Sequence, residues 1–188
     1  STVLHTYASA LPDALNLSSR DVILPVVPMF HVNAWGLPYA ACMVGAKLVL
    51  PGPHLDGKSL HDLFEGEQVT VSAGVPTVWQ GLLAHVQANG LRFTSMTRTV
   101  IGGSACPPAM MRAFQETYGV TVLHAWGMTE LSPLGTVGVL KSTDFGESWI
   151  LYGTDVFTTG YPIPSTFPQY QSIGKVRVDP NNSNIVIA

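Results

Sequence analysis

The sequence predicts an α/β fold over residues 1–140, a mostly parallel sheet covered by helices, followed by an all-β segment over residues 141–188. Three observations predict it. Short β-branched runs alternate with stretches of helical period, glycine and proline punctuate the changeovers, and the helical patterns stop after Lys141.

Residues 22–27, 46–50, 69–72, 99–101 and 120–124 read as strands, being compact, apolar and bounded by glycine or proline. Pro76 opens a helix at its first position, Val78, Trp79, Leu82, Leu83 and Val86 form its apolar stripe, and Asn89-Gly90 stops it. Another helix runs from Pro107 through Met111, Phe114 and Tyr118 to Gly119. Strands that alternate with helices in this way pair in parallel. Past Lys141, residues 149–152, 173–178 and 185–187 are short strand-like runs separated by Gly, Pro, Asn and Ser, which places a junction near residues 140–142.

Only 11% of the 188 residues are charged and 46% are hydrophobic, so the chain has the material for a buried core. The net charge is −3 with no lysine or arginine cluster, which excludes a basic nucleic-acid face or an anionic-membrane footprint. Apolar runs are too short or too broken by proline to span a bilayer, and no signal-peptide pattern is present. Cys42 and Cys106 are scattered, with no histidine at ligand spacing, and fit a reducing cytoplasmic setting.

Three stretches carry chemistry, each at the carboxyl end of an expected strand, where open α/β sheets bind ligands. They are Pro28-Met29-Phe30-His31-Val32-Asn33-Ala34-Trp35-Gly36, then Gly102-Gly103-Ser104-Ala105-Cys106-Pro107-Pro108, then Ala125-Trp126-Gly127-Met128-Thr129-Glu130. Paired glycines let a backbone approach a flat ring, and Trp126 offers a stacking face. Thr129 offers a hydroxyl to a phosphate and Glu130 a hard oxygen to Mg²⁺. Taken singly, each has a plain structural alternative: a turn, a core tryptophan, a helix start.

In this order and spacing the three stretches resemble the adenylate-forming (AMP-binding) superfamily, and its fatty acyl-CoA synthetases in particular. The resemblance implies a partial N-terminal domain of that family over residues 1–140. It implies that Gly102, Gly103, Ser104 and Ala105 line the adenine pocket, that Trp126 stacks on adenine, and that Thr129 contacts phosphate. Glu130 is implied as the Mg²⁺ ligand, His31 as a group beside the acyl and adenylate site, and Trp35 as a gate on the acyl tunnel. ATP or AMP, Mg²⁺ and the co-substrate CoA follow from the same resemblance. The family's phosphate loop with its lysine, and the later catalytic lysine, have no match here. The expectation is therefore a ligase remnant that is inactive alone.

Gly52-Pro53-His54-Leu55-Asp56-Gly57-Lys58-Ser59 fits the phosphate-loop spacing of nucleotide-binding proteins. Asp56 would face the phosphates, His54 and Leu55 would fill the cradle, and Pro53 lacks a donor, so an ordinary surface loop is expected. In the tail, Ser142-Thr143-Asp144-Phe145-Gly146-Glu147-Ser148-Trp149 resembles an Asp-box repeat of sialidase-, xyloglucanase- or sortilin-like β-propellers, where the motif is a structural turn. Residues 173–182 resemble the strand and turn opening a further blade. A rival reading makes the chain continuous, with residues 159–164 following the Thr-Glu motif as in acyl-CoA synthetases. Two other functions stay open: a fragment of a carbohydrate-active or glycan-binding propeller, and a chimeric chain with no small-molecule function. The expected partners are a nucleotide and an acyl chain, together with homo-oligomer contacts through open sheet edges.

Overall fold

The computed structural model describes residues 2–137, 139–141, 150–152, 177–179 and 182–187. These divide into two compact units, Ser1–Val137 and Gly138–Ala188. In the first unit, β1 (Val22–Pro25), β2 (Lys47–Leu48), β3 (Val71–Gly74), β4 (Arg98–Ile101), β5 (Thr121–Gly127) and β6 (Leu134–Val137) form one sheet in the order β2-β1-β3-β4-β5-β6. The pairings from β2 through β5 are parallel, and β6 runs antiparallel to β5. The expected mostly parallel sheet is present.

Helices cover both faces. On one face α4 (Gly57–Glu67), α5 (Pro76–Ala88) and α6 (Pro108–Arg112) bury Leu60, Phe64, Trp79, Leu82, Val86 and Met111. On the other, α3 (Leu37–Val44) buries Leu37, Ala40 and Ala41 against Ile23, Val71 and Val100. Between β1 and α3, the four residues labelled α2 (Val32–Trp35) form one left-handed turn. The chain starts with α1 (Thr2–Ala10), none of whose residues is buried.

Each strand expected within residues 1–140 exists, with shifted ends. Strand β3 starts two residues late because the Val69 N–H is already taken by the Phe64 carbonyl closing α4. Strand β5 runs on to Gly127 because its end pairs with β6. The helix expected from Pro107 begins at Pro108, and after Arg112 it widens into a π-turn, Ala113–Thr117. Helices α1 and α3 were not expected: α1 is short and has no buried face, and α3 is apolar on most of its surface, which hides its period.

The second unit contains β7 (Val139–Lys141) paired antiparallel with β8 (Ile150–Tyr152), and β9 (Arg177–Asp179) paired antiparallel with β10 (Asn182–Ile187). The Asp-box stretch, residues 142–149, lies outside the described residues, as do all of residues 153–176, including the 159–164 stretch of the continuous reading. Among the described residues, no helix is long and apolar enough to cross a membrane.

Candidate functional site

The loops following β1, β4 and β5 meet at the carboxyl edge of the sheet, around a cleft of about 360 Å³. Its lining includes His31, Trp35, Gly102, Gly103, Trp126, Thr129 and Glu130, which brings residues from all three motif stretches to one place. Ser104 and Ala105, expected on the same wall, are exposed on the loop and do not line the cleft.

The first wall depends on unusual backbone. Val32, Asn33, Ala34 and Trp35 have φ of 46, 52, 51 and 55°, and Gly36 follows at 74°. Each left-handed non-glycine residue costs about 1–2 kcal/mol, and a β-branched valine suits the region least. The turn is held by Ala34, which is fully buried, and by α3 behind it. It places His31 at the cleft mouth and sends the half-buried Trp35 ring inward.

The second wall depends on glycine. A Cβ at Gly102 would stand 2.9 Å from the Ala125 carbonyl oxygen and 3.3 Å from Trp35 Cη2. A Cβ at Gly103, where φ is +79°, would stand 3.0 Å from Val75 Cγ1. The absence of side chains therefore admits both Trp35 and the β5 end to the same small space.

The third wall is the end of β5. Gly127 passes so close to β6 that a Cβ there would lie 2.2 Å from the Pro133 carbonyl oxygen. The Met128 N–H donates to that oxygen at 2.9 Å, closing a loop that presents Thr129 and Glu130, both exposed. Trp126 leans on Gly135, where a Cβ would lie 2.6 Å from ring atom Cζ3, and keeps 44% of its surface open. Sequence reasoning named Gly127 in its motif without a role and missed Pro133 and Gly135, because their roles arise only from the β5–β6 pairing.

A cation would find one carboxylate here, Glu130, since among the described residues no three His, Cys, Asp or Glu side chains gather to hold a metal. That fits Mg²⁺, which is bound through one or two carboxylates plus substrate phosphates. Among the described residues, no lysine or arginine lines the cleft.

The phosphate-loop look-alike is a helix start. The Asp56 carboxylate accepts the Ser59 N–H at 3.0 Å and the Ser59 hydroxyl at 2.7 Å, capping α4. Gly57 lets α4 approach α5, since a Cβ there would lie 2.6 Å from the Gly81 carbonyl oxygen. Lys58 pairs with Asp62 one turn on. The surface-loop expectation holds for residues 52–56, which are exposed, while Gly57, Lys58 and Ser59 form the first turn of α4 instead.

The AMP-binding enzyme family matches residues 1–168. The chain is 67% identical over 136 residues to a medium-chain-fatty-acid–CoA ligase of Ectopseudomonas oleovorans, covering 72% of this chain and 25% of that protein. It is 51% identical over 162 residues to a long-chain-fatty-acid–CoA ligase of Thermus thermophilus, covering 86% and 30%. A solved long-chain-fatty-acid–CoA ligase from Archaeoglobus fulgidus superposes with a TM-score of 0.63 at 23% identity, covering 72% of this chain and 29% of that one. O-succinylbenzoate coenzyme A synthetase from Bacillus subtilis, solved with ATP and magnesium ion, gives a TM-score of 0.64 at 18% identity, covering 100% and 34%. Fold and sequence thus agree on the AMP-binding class of enzyme domain. The chain belongs to the AMP-binding enzyme family, and it spans about a quarter of the length of the curated relatives it matches.

Proposed function

We propose that this chain supplies the adenine- and acyl-facing part of a fatty acyl-CoA ligase domain. The observation that carries the reading is the convergence of Gly102, Gly103, Trp126, Thr129, Glu130 and His31 on one cleft at the carboxyl edge of the sheet. In the proposed reaction a fatty carboxylate oxygen attacks the α-phosphorus of ATP and pyrophosphate leaves. The CoA thiol then attacks the acyl carbonyl and AMP leaves. Gly102 and Gly103 give the nucleobase a flat wall and Trp126 an open ring face. Thr129 donates its hydroxyl to a phosphate oxygen, Glu130 holds Mg²⁺, and His31 stands beside the acyl carboxylate. Mg²⁺, when bound, draws charge off the phosphate oxygens. Trp35 also lines a small second cavity with Thr2, His5 and Ser9, a position that suits a gate toward an acyl chain.

The 188 residues are expected to be inactive alone. Phosphoryl chemistry rests on placed cations and donors, each worth about 10²–10³ in rate, and among the described residues the cleft lining carries no lysine or arginine. ATP–pyrophosphate exchange with fatty acids should therefore match a Glu130→Ala control. Mg·ATP titrations should still show weak binding that Trp126→Ala removes and Lys58→Ala leaves intact. Exchange clearly above the control would overturn the inactivity. Binding lost in Lys58→Ala and kept in Trp126→Ala would move the nucleotide to the other loop.

For residues 141–188 we propose an Asp-box-like β segment beginning near residue 141. The β9–β10 pair is antiparallel, as this reading requires but any hairpin provides, while the family match through residue 168 favours the continuous reading instead. Fluorine NMR of fluorotryptophan-labelled protein separates the two, since the Asp-box reading requires a Trp149 indole shielded between sheets. A Trp149 resonance with the solvent isotope shift of free fluorotryptophan would sink it.

A further inference from the structure

His124 takes no part in the reading above and does not line the cleft. It sits on β5, in register with Ile101 of β4, one residue before Ala125 and two before Trp126. Its Nε2 lies 3.3 Å from the backbone nitrogen of Cys106, on the far side of the glycine loop. A backbone N–H has no choice but to donate, so Nε2 is the acceptor and carries no proton. In a neutral ring the proton then rests on Nδ1, which is buried without a hydrogen-bond partner.

That arrangement is costly for a residue whose task is packing. A leucine or phenylalanine would fill the same slot without burying an unsatisfied donor. What only a side-chain acceptor supplies is the tie to the Cys106 amide. Burial also holds the imidazole pKa below its usual value, with the Ser104 backbone acting in the opposite direction. The ring is therefore neutral, and an acceptor, at neutral pH.

We propose that His124 is a positioning residue: by accepting the Cys106 N–H it ties the glycine loop, residues 102–106, to the strand that carries Trp126, and so sets the gap between the two walls that receive the nucleobase. The role rests on the nucleotide reading for its consequence and on the structure alone for its tie. One imidazole thereby joins elements that are otherwise linked here by the β4–β5 ladder, which ends at Ile101 and His124. Loss of the acceptor leaves the ladder intact and frees the loop beyond it.

The test uses the whole 188-residue chain with His124→Phe, which keeps the volume and removes the acceptor, and His124→Gln, whose amide oxygen reaches about where Nε2 stood. Amide hydrogen exchange at Cys106 is read by NMR, and Mg·ATP affinity by titration. His124→Phe should exchange the Cys106 amide about tenfold faster, the worth of one hydrogen bond, and bind Mg·ATP about tenfold more weakly. His124→Gln should restore both. Unchanged Cys106 protection in His124→Phe overturns the proposal, as does a folded His124→Gln that restores neither. Should the wild-type chain bind no Mg·ATP, the nucleotide reading fails, and the exchange comparison still decides whether His124 holds the loop.

Discussion

Replacing Trp79 by alanine is expected to destabilise the chain by about 3–5 kcal/mol, the usual range for a fully buried tryptophan. Trp79 is completely buried. Its ring meets Phe114 edge-on at 6.0 Å and Phe64 at 6.2 Å, centroid to centroid. It also sits under the end of β3, where a Cβ at Gly74 would stand 2.9 Å from Cζ2. The aromatic cluster spans α4, α5 and the π-turn, so three elements would have to close on the void together. Urea denaturation should show the loss, with the melting temperature down by on the order of 10 °C. Trp79→Phe should cost much less, because the indole N–H is buried without a partner and phenylalanine has no such donor to bury. A loss below about 1 kcal/mol for Trp79→Ala would show that the cluster does not hold the helical layer.

The second large effect lies at the opposite edge of the sheet. Arg98 donates to Asp21 at 2.9 Å and to the carbonyls of Leu15 and Asn16 at 3.0 and 2.7 Å. Asp21 also accepts the Ser18 N–H at 2.8 Å and the Thr70 hydroxyl at 2.9 Å. This one network pins the segment between α1 and β1 onto β3 and β4. Both ionic side chains are well covered, at 16% and 9% exposure, so removing the arginine strands a buried carboxylate. Arg98→Ala should cost about 3 kcal/mol. The comparison is Lys47→Ala, whose pair with Glu67 is open to solvent and should be worth less than about 1 kcal/mol. Equal effects from the two substitutions would refute the network's importance.

The pH dependence of that effect has a definite sign. Burial alone would raise the Asp21 carboxyl, but the Arg98 guanidinium, the Ser18 N–H and the Thr70 hydroxyl outweigh it and hold the group below its ordinary value of 3.8. Stability from a depressed carboxylate is fully present above the unfolded value and is lost as pH falls through the folded one. The gap between wild type and Arg98→Ala should therefore be constant near neutrality and shrink below about pH 4.

What could be read from the sequence was whatever depends on local pattern. The five parallel strands announced themselves through β-branched runs, and α5 through its stripe from Val78 to Val86 and its terminal Pro76. Gly102, Gly103, Trp126, Thr129 and Glu130 were legible as candidates because each sits just after a strand or at its end. The left-handed turn at Val32–Trp35 was not, since only Asn33 among its residues suits positive φ and the cause is tertiary: a buried Ala34 with α3 behind it. His124 was hidden for a similar reason. It closes the apolar run 120–124 within β5, and its partner is a backbone amide 18 residues away in sequence.

The sheet order β2-β1-β3 also governs the timing of folding. Strand β1 leaves its nearest sequence neighbour β2 on one side and takes β3 on the other, and the Val22–Thr70 hydrogen bond spans 48 residues. The centre of the sheet cannot close until α3, β2 and α4 have all been made, and the chain must bear that loop-closure entropy before β1 gains its second partner. During synthesis, an apolar strand that is fully buried in the finished domain, with Ile23 and Leu24 at 0% exposure, stands with one open edge while the next 46 residues emerge. At 5–20 residues per second that interval lasts about 2–9 s, long enough for a chaperone or a stray strand to compete for the edge.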